Sequence, residues 1–227
     1  MAAVSPADHP AWMAEIEKLK EKESACLQKS EVMTPYDIIE TVNSKMPEDA
    51  VIATDVGQHQ MWVAQHYKFE KPRTFVSSGG FGLGAAIGSY IATEKPVVLF
   101  TGDGSFGMNL NELATAVSCN APVIVVIMNN GVLGMVRQWQ TLFFNKHYSN
   151  TTLCRQTDFV KLAEAFGALG FRAENTDELS KALDDAIAAK RPVVIDCKID
   201  KDEFVLPMLP PGGSIDDIIT EIHGGEI

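Results

Sequence analysis

Two short polar segments in the sequence contain the residue types that bind a hard metal ion. Gly102-Asp103-Gly104 places a carboxylate between two glycines, and Asn129-Asn130 places two amides further along the chain. Carboxylate, amide and backbone carbonyl oxygens suit Mg²⁺, which usually takes its remaining ligands from water or phosphate. The two segments together therefore indicate a magnesium ion that anchors a diphosphate.

Each of these segments follows an apolar run that is typical of a strand buried in a parallel sheet. The runs are residues 96–101 and 122–128. Open α/β sheets bind ligands at the carboxyl ends of their strands, and a strand-helix-strand connection brings two such ends to one edge. Asn109 and Glu112 have the spacing of a capping box, which predicts a connecting helix over residues 110–119.

A third polar segment follows another apolar run, residues 50–55, and opens a helix. It contains Val56, Gly57, Gln58 and His59. Free amides and the helix dipole attract phosphate to the start of a helix. A lone histidine at such a position is more often a surface residue, so this segment does not identify a site by itself.

Turn formation alone explains either metal-binding segment, because Asp between glycines and Asn-Asn-Gly are both good turn sequences. Their order, the helix between them and their positions at strand ends nevertheless resemble the thiamine diphosphate signature, in which GDG is followed by a helix, a strand and NN.

The resemblance is closest to the C-terminal part of the catalytic subunit of acetolactate synthase (acetohydroxyacid synthase). It rests on GDGSFGMNLNELATAV, VIMNNGVLGMVRQWQTLFF and CKIDKDEFVLPMLPPGGSIDDII, and it covers nearly all of the sequence from Trp12 onward. In that family, pyruvate is joined to a second pyruvate or to 2-oxobutanoate with loss of CO₂, in the biosynthesis of branched-chain amino acids. The resemblance implies 2-oxoacid substrates and thiamine diphosphate, Mg²⁺ and FAD as cofactors, with FAD bound mainly by a central domain.

The resemblance also assigns roles to individual residues. Asp103 and Asn130 would ligate Mg²⁺ through their side chains, and Val132 through its backbone carbonyl. Met135 would contact the cofactor, and Trp139, four residues later on the same helix face, would shape the substrate pocket; core packing is the alternative for both. The residues placed at the cofactor, mainly at its diphosphate, are Val56, Gly57, Gln58, His59, Gly102, Gly104 and Ser105.

Part of the family's site has no counterpart in this sequence. The glutamate that activates the cofactor comes from the N-terminal domain of a neighbouring subunit, so the catalytic residue is expected outside this chain. The chain resembles the final third of such a protein. The implied partners are the N-terminal and central domains, further copies of the chain, and a regulatory small subunit.

One turn is shorter than in the family. Relatives read SSGGLGTMGFGLGAAIG where residues 77–88 read SSGGFGLGAAIG. The absent stretch normally carries a Met that bends the cofactor and a carbonyl that accepts from its amino group, so weak cofactor binding and poor catalysis are expected. The remaining Gly82-x-Gly84-x-x-x-Gly88 also resembles a dinucleotide-binding turn, although tight packing of a helix on the sheet explains these small residues equally well.

Two other functions remain open at this stage. One is a different thiamine diphosphate enzyme with split subunits, such as a 2-oxoacid decarboxylase or oxidoreductase. The other is a noncatalytic module that binds the cofactor or supports assembly. The residues around Met135 and Trp139 and the LPMLPPG segment favour acetolactate synthase over the first of these.

Composition excludes several classes of protein. A hydrophobic share of 46% in 227 residues can form a sizeable core. A net charge of −11 disfavours nucleic acid and anionic membranes as partners. No run of 18 apolar residues is present, and the four cysteines lack a CxxC pair, which is typical of reduced thiols in the cytoplasm. An organellar address could precede the sequence.

The pattern of elements predicts an α/β fold, with three α/β/α layers and a mostly parallel sheet of about six strands. The remaining strands are expected at residues 74–77 and near Phe171 and Val193. Residues 1–32, with a short helix over 12–22, are interpreted as a linker from an upstream domain. Residues 33–203 would form the cofactor-binding domain, and the proline-rich residues 204–227 a tail that in relatives covers the site entrance.

Overall fold

The computed structural model describes residues 9–26, 32–154 and 157–221. The chain divides into two units before Val32. The first unit contains one helix, α1 (Pro10–Cys26), which includes the helix predicted for residues 12–22. The second unit contains all other described helices and strands.

The second unit is built on one sheet of six parallel strands in the order β2-β1-β3-β4-β6-β5, which confirms the predicted fold class. The strands are β1 (Val51–Thr54), β2 (Phe75–Ser77), β3 (Val97–Gly102), β4 (Val123–Asn129), β5 (Leu169–Ala173) and β6 (Val193–Lys198). The strand order makes β1, β3 and β4 neighbours, so their carboxyl ends lie side by side.

Helices cover both faces of this sheet. They are α2 (Pro35–Lys45), α3 (Gln58–His66), α4 (Gly82–Thr93), α5 (Asp103–Asn109), α6 (Leu113–Ser118), α7 (Gly134–Phe143), α8 (Phe159–Ala165) and α9 (Thr176–Ala189). Side-chain caps fix several helix starts: Thr34 caps α2, Asp158 caps α8 and Asn175 caps α9. None of the described helices is long and apolar enough to cross a membrane.

The apolar strands contribute side chains to two separate hydrophobic cores, because successive residues of a strand point to opposite faces of the sheet. In β3, Val98 and Phe100 pack beneath α2, α3 and α9, whereas Val97 and Leu99 pack beneath α4, α6 and α8. This explains why the central strands are continuously apolar rather than alternating.

The predicted connection between β3 and β4 is wrong in detail. α5 begins directly at Asp103, and it is followed by a 3₁₀ turn (Leu110–Glu112) and by α6, instead of one helix over residues 110–119. Asn109 makes no capping hydrogen bond, and the Glu112 carboxylate instead accepts from Thr115 at 2.8 Å. The carboxyl end of β3 therefore sets the helix start, and the local capping signal does not.

Candidate functional site

A cavity of about 260 Å³ lies at the carboxyl ends of β1, β3 and β4. All but one of the site residues that were predicted from the sequence line this cavity. Its lining includes Val56, Gly57, Gln58, His59, Gly102, Asp103, Gly104, Ser105, Asn130, Val132 and Met135. Trp62, Met128, Leu133, Gly134 and Val136 complete the lining.

Asp103 is the first residue of α5 and is only 7% exposed. Burial raises the pKa of its carboxyl group, while backbone hydrogen bonds, including those with Gly104 and Gly131, and the charge of Lys198 oppose that rise. A buried carboxylate at a cavity wall is well suited to a cation, whose charge would offset the desolvation.

Asn130 and Val132 lie across the cavity in the turn between β4 and α7. The Asn130 Oδ1 atom accepts a hydrogen bond from the Val132 amide at 3.1 Å, and Gly131 between them has a φ of +71°. This left-handed position favours glycine. Among the described residues, no group of three or more His, Cys, Asp and Glu side chains could hold a metal. A magnesium site here would depend on one carboxylate, one amide and backbone oxygen.

His59 lies in the first turn of α3, tightly enclosed by glycine backbone. A Cβ atom at Gly57 would lie 2.6 Å from the His59 ring, and one at Gly102 would lie 3.4 Å from Nδ1. His59 is 4% exposed, and its Nε2 atom has no hydrogen-bond partner among the described residues. Burial lowers its pKa to about 4, against the opposing effect of a backbone hydrogen bond with Asp55.

Gln58 connects the cavity to the segment after β6. Its Nε2 atom donates to Gln138 Oε1 at 2.9 Å and to the Glu203 carbonyl at 3.0 Å, whereas its own Oε1 is buried without a described partner. Gln138 also accepts from the Val205 amide and donates to the Val205 carbonyl, both at 2.9 Å. Sequence analysis missed Gln138, although it is a polar residue one position from a residue that was singled out, Trp139.

Gly104 and Ser105, the next two residues of α5, are each in close contact with other parts of the chain. The Ser105 hydroxyl accepts from the Gly102 amide at 3.0 Å and lies 3.0 Å from the Thr101 hydroxyl. Gly104 approaches Leu133 closely, since a Cβ atom there would lie 2.9 Å from Leu133 Cδ2. The Ser105 hydroxyl thus already has protein partners, and backbone amides remain the simpler phosphate donors.

A buried polar network beside the cavity was also missed by sequence analysis. Asp55, at the end of β1, accepts hydrogen bonds from the Thr101 hydroxyl at 2.5 Å and from the Gly82 amide. Asp55 and Thr101 are both fully buried. Burial raises the pKa of Asp55, while hydrogen bonds, chiefly with Thr101 and Gly82, oppose that shift. An aspartate directly after a strand was the only signal.

The same network accounts for a glycine at position 82, so this residue does not indicate a dinucleotide-binding turn. The first amide of α4 already binds the Asp55 carboxylate, and a Cβ atom at Gly82 would lie 2.7 Å from Oδ1. A phosphate placed at this helix start would meet that carboxylate. Cβ atoms at Gly84 and Gly88 would have nothing within 4 Å, so neither glycine marks a close approach. The preceding short turn closes through Gly79 and Gly80, whose φ angles are +72° and +143°.

Met135 and Trp139 both belong to α7 but differ in position. Met135 lines the cavity, whereas Trp139 does not and is 43% exposed. Trp139 packs edge-on against Phe143, with the ring centroids 5.7 Å apart. Its assignment to a substrate pocket stays a prediction.

Comparison with known proteins agrees with this arrangement. Residues 55–197 match the family model "Thiamine pyrophosphate enzyme, C-terminal TPP binding domain"; thiamine pyrophosphate and thiamine diphosphate are the same compound. The chain is 40% identical over 225 residues to the acetolactate synthase large subunit of Haemophilus influenzae, covering 95% of this chain and 39% of that protein.

Two further relatives give similar values. Identity is 41% over 191 residues to the acetolactate synthase isozyme 2 large subunit of Escherichia coli, covering 82% of this chain and 35% of that protein. Identity is 40% over 223 residues to the mitochondrial acetolactate synthase catalytic subunit of Saccharomyces cerevisiae, covering 92% of this chain and 32% of that protein. The chain thus spans well under half the length of these relatives, and the predicted resemblance is confirmed. This chain belongs to the family of C-terminal TPP-binding domains of thiamine pyrophosphate enzymes.

Proposed function

We propose that this chain is the cofactor-anchoring part of an acetolactate synthase, which joins two pyruvates, or pyruvate and 2-oxobutanoate, with loss of CO₂. The observation that carries the proposal is the cavity at the ends of β1, β3 and β4, where the GDG and NN segments meet. Identities near 40% to acetolactate synthase subunits support that choice within the wider family.

The residues present fit a magnesium diphosphate. Asp103 and Asn130 offer side-chain oxygens, and Val132 offers its carbonyl, which is the donor set that Mg²⁺ accepts. The buried Nε2 atom of His59 lacks a described partner, and the absence of a Cβ atom at Gly57 and Gly102 leaves room for the His59 ring in the cavity wall. When bound, thiamine diphosphate would supply the carbon centre on which a 2-oxoacid loses CO₂. The chain's own residues would bind the diphosphate and orient the group, and Met135 lines the same cavity.

The chain would not complete catalysis alone. The activating glutamate, most FAD contacts and parts of the substrate site would come from N-terminal and central domains and from a second copy. The short turn at Gly79 and Gly80 lacks the LGTMG stretch of relatives, so we expect poor activation of the cofactor even in the completed assembly. This turn is also the observation that favours the second candidate, a noncatalytic cofactor-binding module.

Complementation would test the proposal. The chain would be mixed with a polypeptide that carries the preceding domains of the Haemophilus influenzae large subunit, and acetolactate formation from pyruvate would be measured. The matched variant carries LGTMG inserted between Gly80 and Phe81. We expect slow formation with the natural chain and faster formation with the insertion. Formation at the rate of the intact relative would contradict the expected poor activity, and none with either chain would favour the noncatalytic module.

A further inference from the structure

The buried carboxylate of Asp55 has no role in the proposed function so far. Asp55 and the Thr101 side chain that it binds lie beside the cavity but do not line it. A fully buried carboxylate costs free energy unless it is well paired, and both oxygens of Asp55 are paired. The pairing partners come from two different segments of the chain.

Hydrogen-bond directions connect Asp55 to the turn that carries Asp103. An ionised carboxylate can only accept, so the Thr101 hydroxyl donates its hydrogen to Asp55. The Thr101 oxygen is then left to accept from the Ser105 hydroxyl, 3.0 Å away. The Ser105 oxygen in turn accepts from the Gly102 amide at 3.0 Å. The chain of hydrogen bonds therefore ends on the backbone immediately before Asp103.

The second oxygen of Asp55 holds the other side of the network. It accepts from the amide of Gly82, where α4 begins after the short turn. One carboxylate thus ties the end of β1, the start of α4 and the β3–α5 turn together.

We propose that Asp55 is a positioning residue for the diphosphate site: through Thr101 and Ser105 it fixes the turn over residues 102–105, without contacting the ligand. This inference rests on the proposed function of the cavity. It predicts that loss of the network weakens binding of thiamine diphosphate with Mg²⁺ more than an equal loss of stability elsewhere does.

Binding of thiamine diphosphate with Mg²⁺ to the full chain would be titrated by calorimetry for wild type and for Asp55→Asn, Thr101→Val and Thr101→Ser. Leu183→Ala is the control for stability, because Leu183 is a fully buried residue of α9, a helix that contributes nothing to the cavity. We expect Asp55→Asn and Thr101→Val to raise Kd about tenfold or more, Thr101→Ser to recover most of the affinity, and Leu183→Ala to change Kd less than about twofold. If Asp55→Asn does not fold, the two Thr101 variants decide the question.

Hydrogen exchange without ligand separates this inference from the proposed function. Loss of the network should speed exchange of the amides of residues 102–105, while amides of β6 keep wild-type rates. If wild type does not bind the cofactor, the proposed function fails and the positioning role fails with it; faster exchange confined to 102–105 would then show only that the network fixes this turn. Unchanged Kd in Thr101→Val, or unchanged exchange at 102–105, would overturn the positioning role.

Discussion

Two regions near the carboxyl ends of the strands differ in whether their buried polar groups are paired. At β6, Asp196 is 1% exposed, and its Oδ1 atom accepts a hydrogen bond from the Asn129 side-chain amide at 2.7 Å. Its Oδ2 atom lies 3.6 Å from Arg172 Nε and 3.8 Å from Lys198 Nζ. At the cavity, Gln58 Oε1 and His59 Nε2 are buried without a partner among the described residues. An unpaired buried polar atom costs about 1–3 kcal/mol, so the cavity carries a cost that a ligand could remove. We infer that the β6 groups stabilise the fold and that the cavity groups serve binding.

The largest effect of a single substitution is expected at β6. Asp196→Ala should lower the free energy of unfolding by about 1.5–3 kcal/mol, because it removes a hydrogen bond to a buried carboxylate and leaves the Asn129 side-chain amide unpaired. Urea denaturation would measure the loss. The matched control is Asp184→Ala, whose carboxylate pairs with Lys45 at 2.6 Å but is 64% exposed, and which should cost less than about 1 kcal/mol. Equal losses in the two variants would contradict the distinction between paired burial and surface pairing.

Acidification should lower the stability of the folded chain, because His59 is buried in its neutral form. The pKa of His59 is lowered from 6.5 to about 4, so between these values the unfolded chain binds more protons than the folded chain. The His59 contribution to stability is therefore present above pH 6.5 and is lost as the pH falls towards 4, by about 2–3 kcal/mol.

Denaturation of His59→Gln across the same pH range isolates that contribution. Asp55 and Asp103 have raised pKa values, so they favour the folded chain on acidification, and only the difference from wild type reports on His59. We expect wild type to lose stability relative to His59→Gln below pH 6.5. Parallel pH profiles would show that His59 is not buried in its neutral form.

Two helical glycines offer a third comparison. A Cβ atom at Gly134 would overlap the Gln58 side chain and lie 2.9 Å from Asn130 Nδ2, whereas one at Gly84 would have nothing within 4 Å. We expect Gly134→Ala to cost about 1–3 kcal/mol and to weaken cofactor binding, since it displaces two cavity residues. Gly84→Ala should be neutral or stabilising by up to about 1 kcal/mol, because alanine favours a helix. Unfolding and binding measured on both variants would check this, and equal effects would contradict it.

The smallest effect is expected at an unpaired hydroxyl. Thr54 is fully buried in β1, and its Oγ1 atom has no described partner. Replacing an unpaired buried polar group by an apolar one of the same shape should be neutral or slightly stabilising, so Thr54→Val should raise the midpoint of urea denaturation or leave it unchanged. A loss above about 1 kcal/mol would reveal a hydrogen bond that the structure does not show.

Sequence reasoning predicted the sheet and most of the cavity because both depend on patterns that are local in sequence. Apolar runs that end in polar turns identify the strand ends, and parallel order then brings Asp103 and Asn130 to one edge. The helix start at Asp103 was missed because a favourable capping pattern at Asn109 and Glu112 pointed further along the chain.

The parts that could not be predicted depend on contacts between distant segments. Asp55 binds a hydroxyl from β3 and an amide from α4, and nothing next to Asp55 in sequence indicates either partner. Gln138 joins Gln58 to the segment after β6 in the same way. A polar residue after a strand or on a helix predicts a hydrogen bond but not its partner.

We propose that this cavity anchors thiamine diphosphate through Mg²⁺ at Asp103. Calorimetric titration of the full chain with thiamine diphosphate, with and without Mg²⁺, tests it most directly, with Asp103→Ala as the comparison and Asp184→Ala as a control that removes an exposed carboxylate. We expect magnesium-dependent binding in wild type and in Asp184→Ala, and its loss in Asp103→Ala. Binding that is independent of Mg²⁺, or equal in wild type and Asp103→Ala, would contradict it.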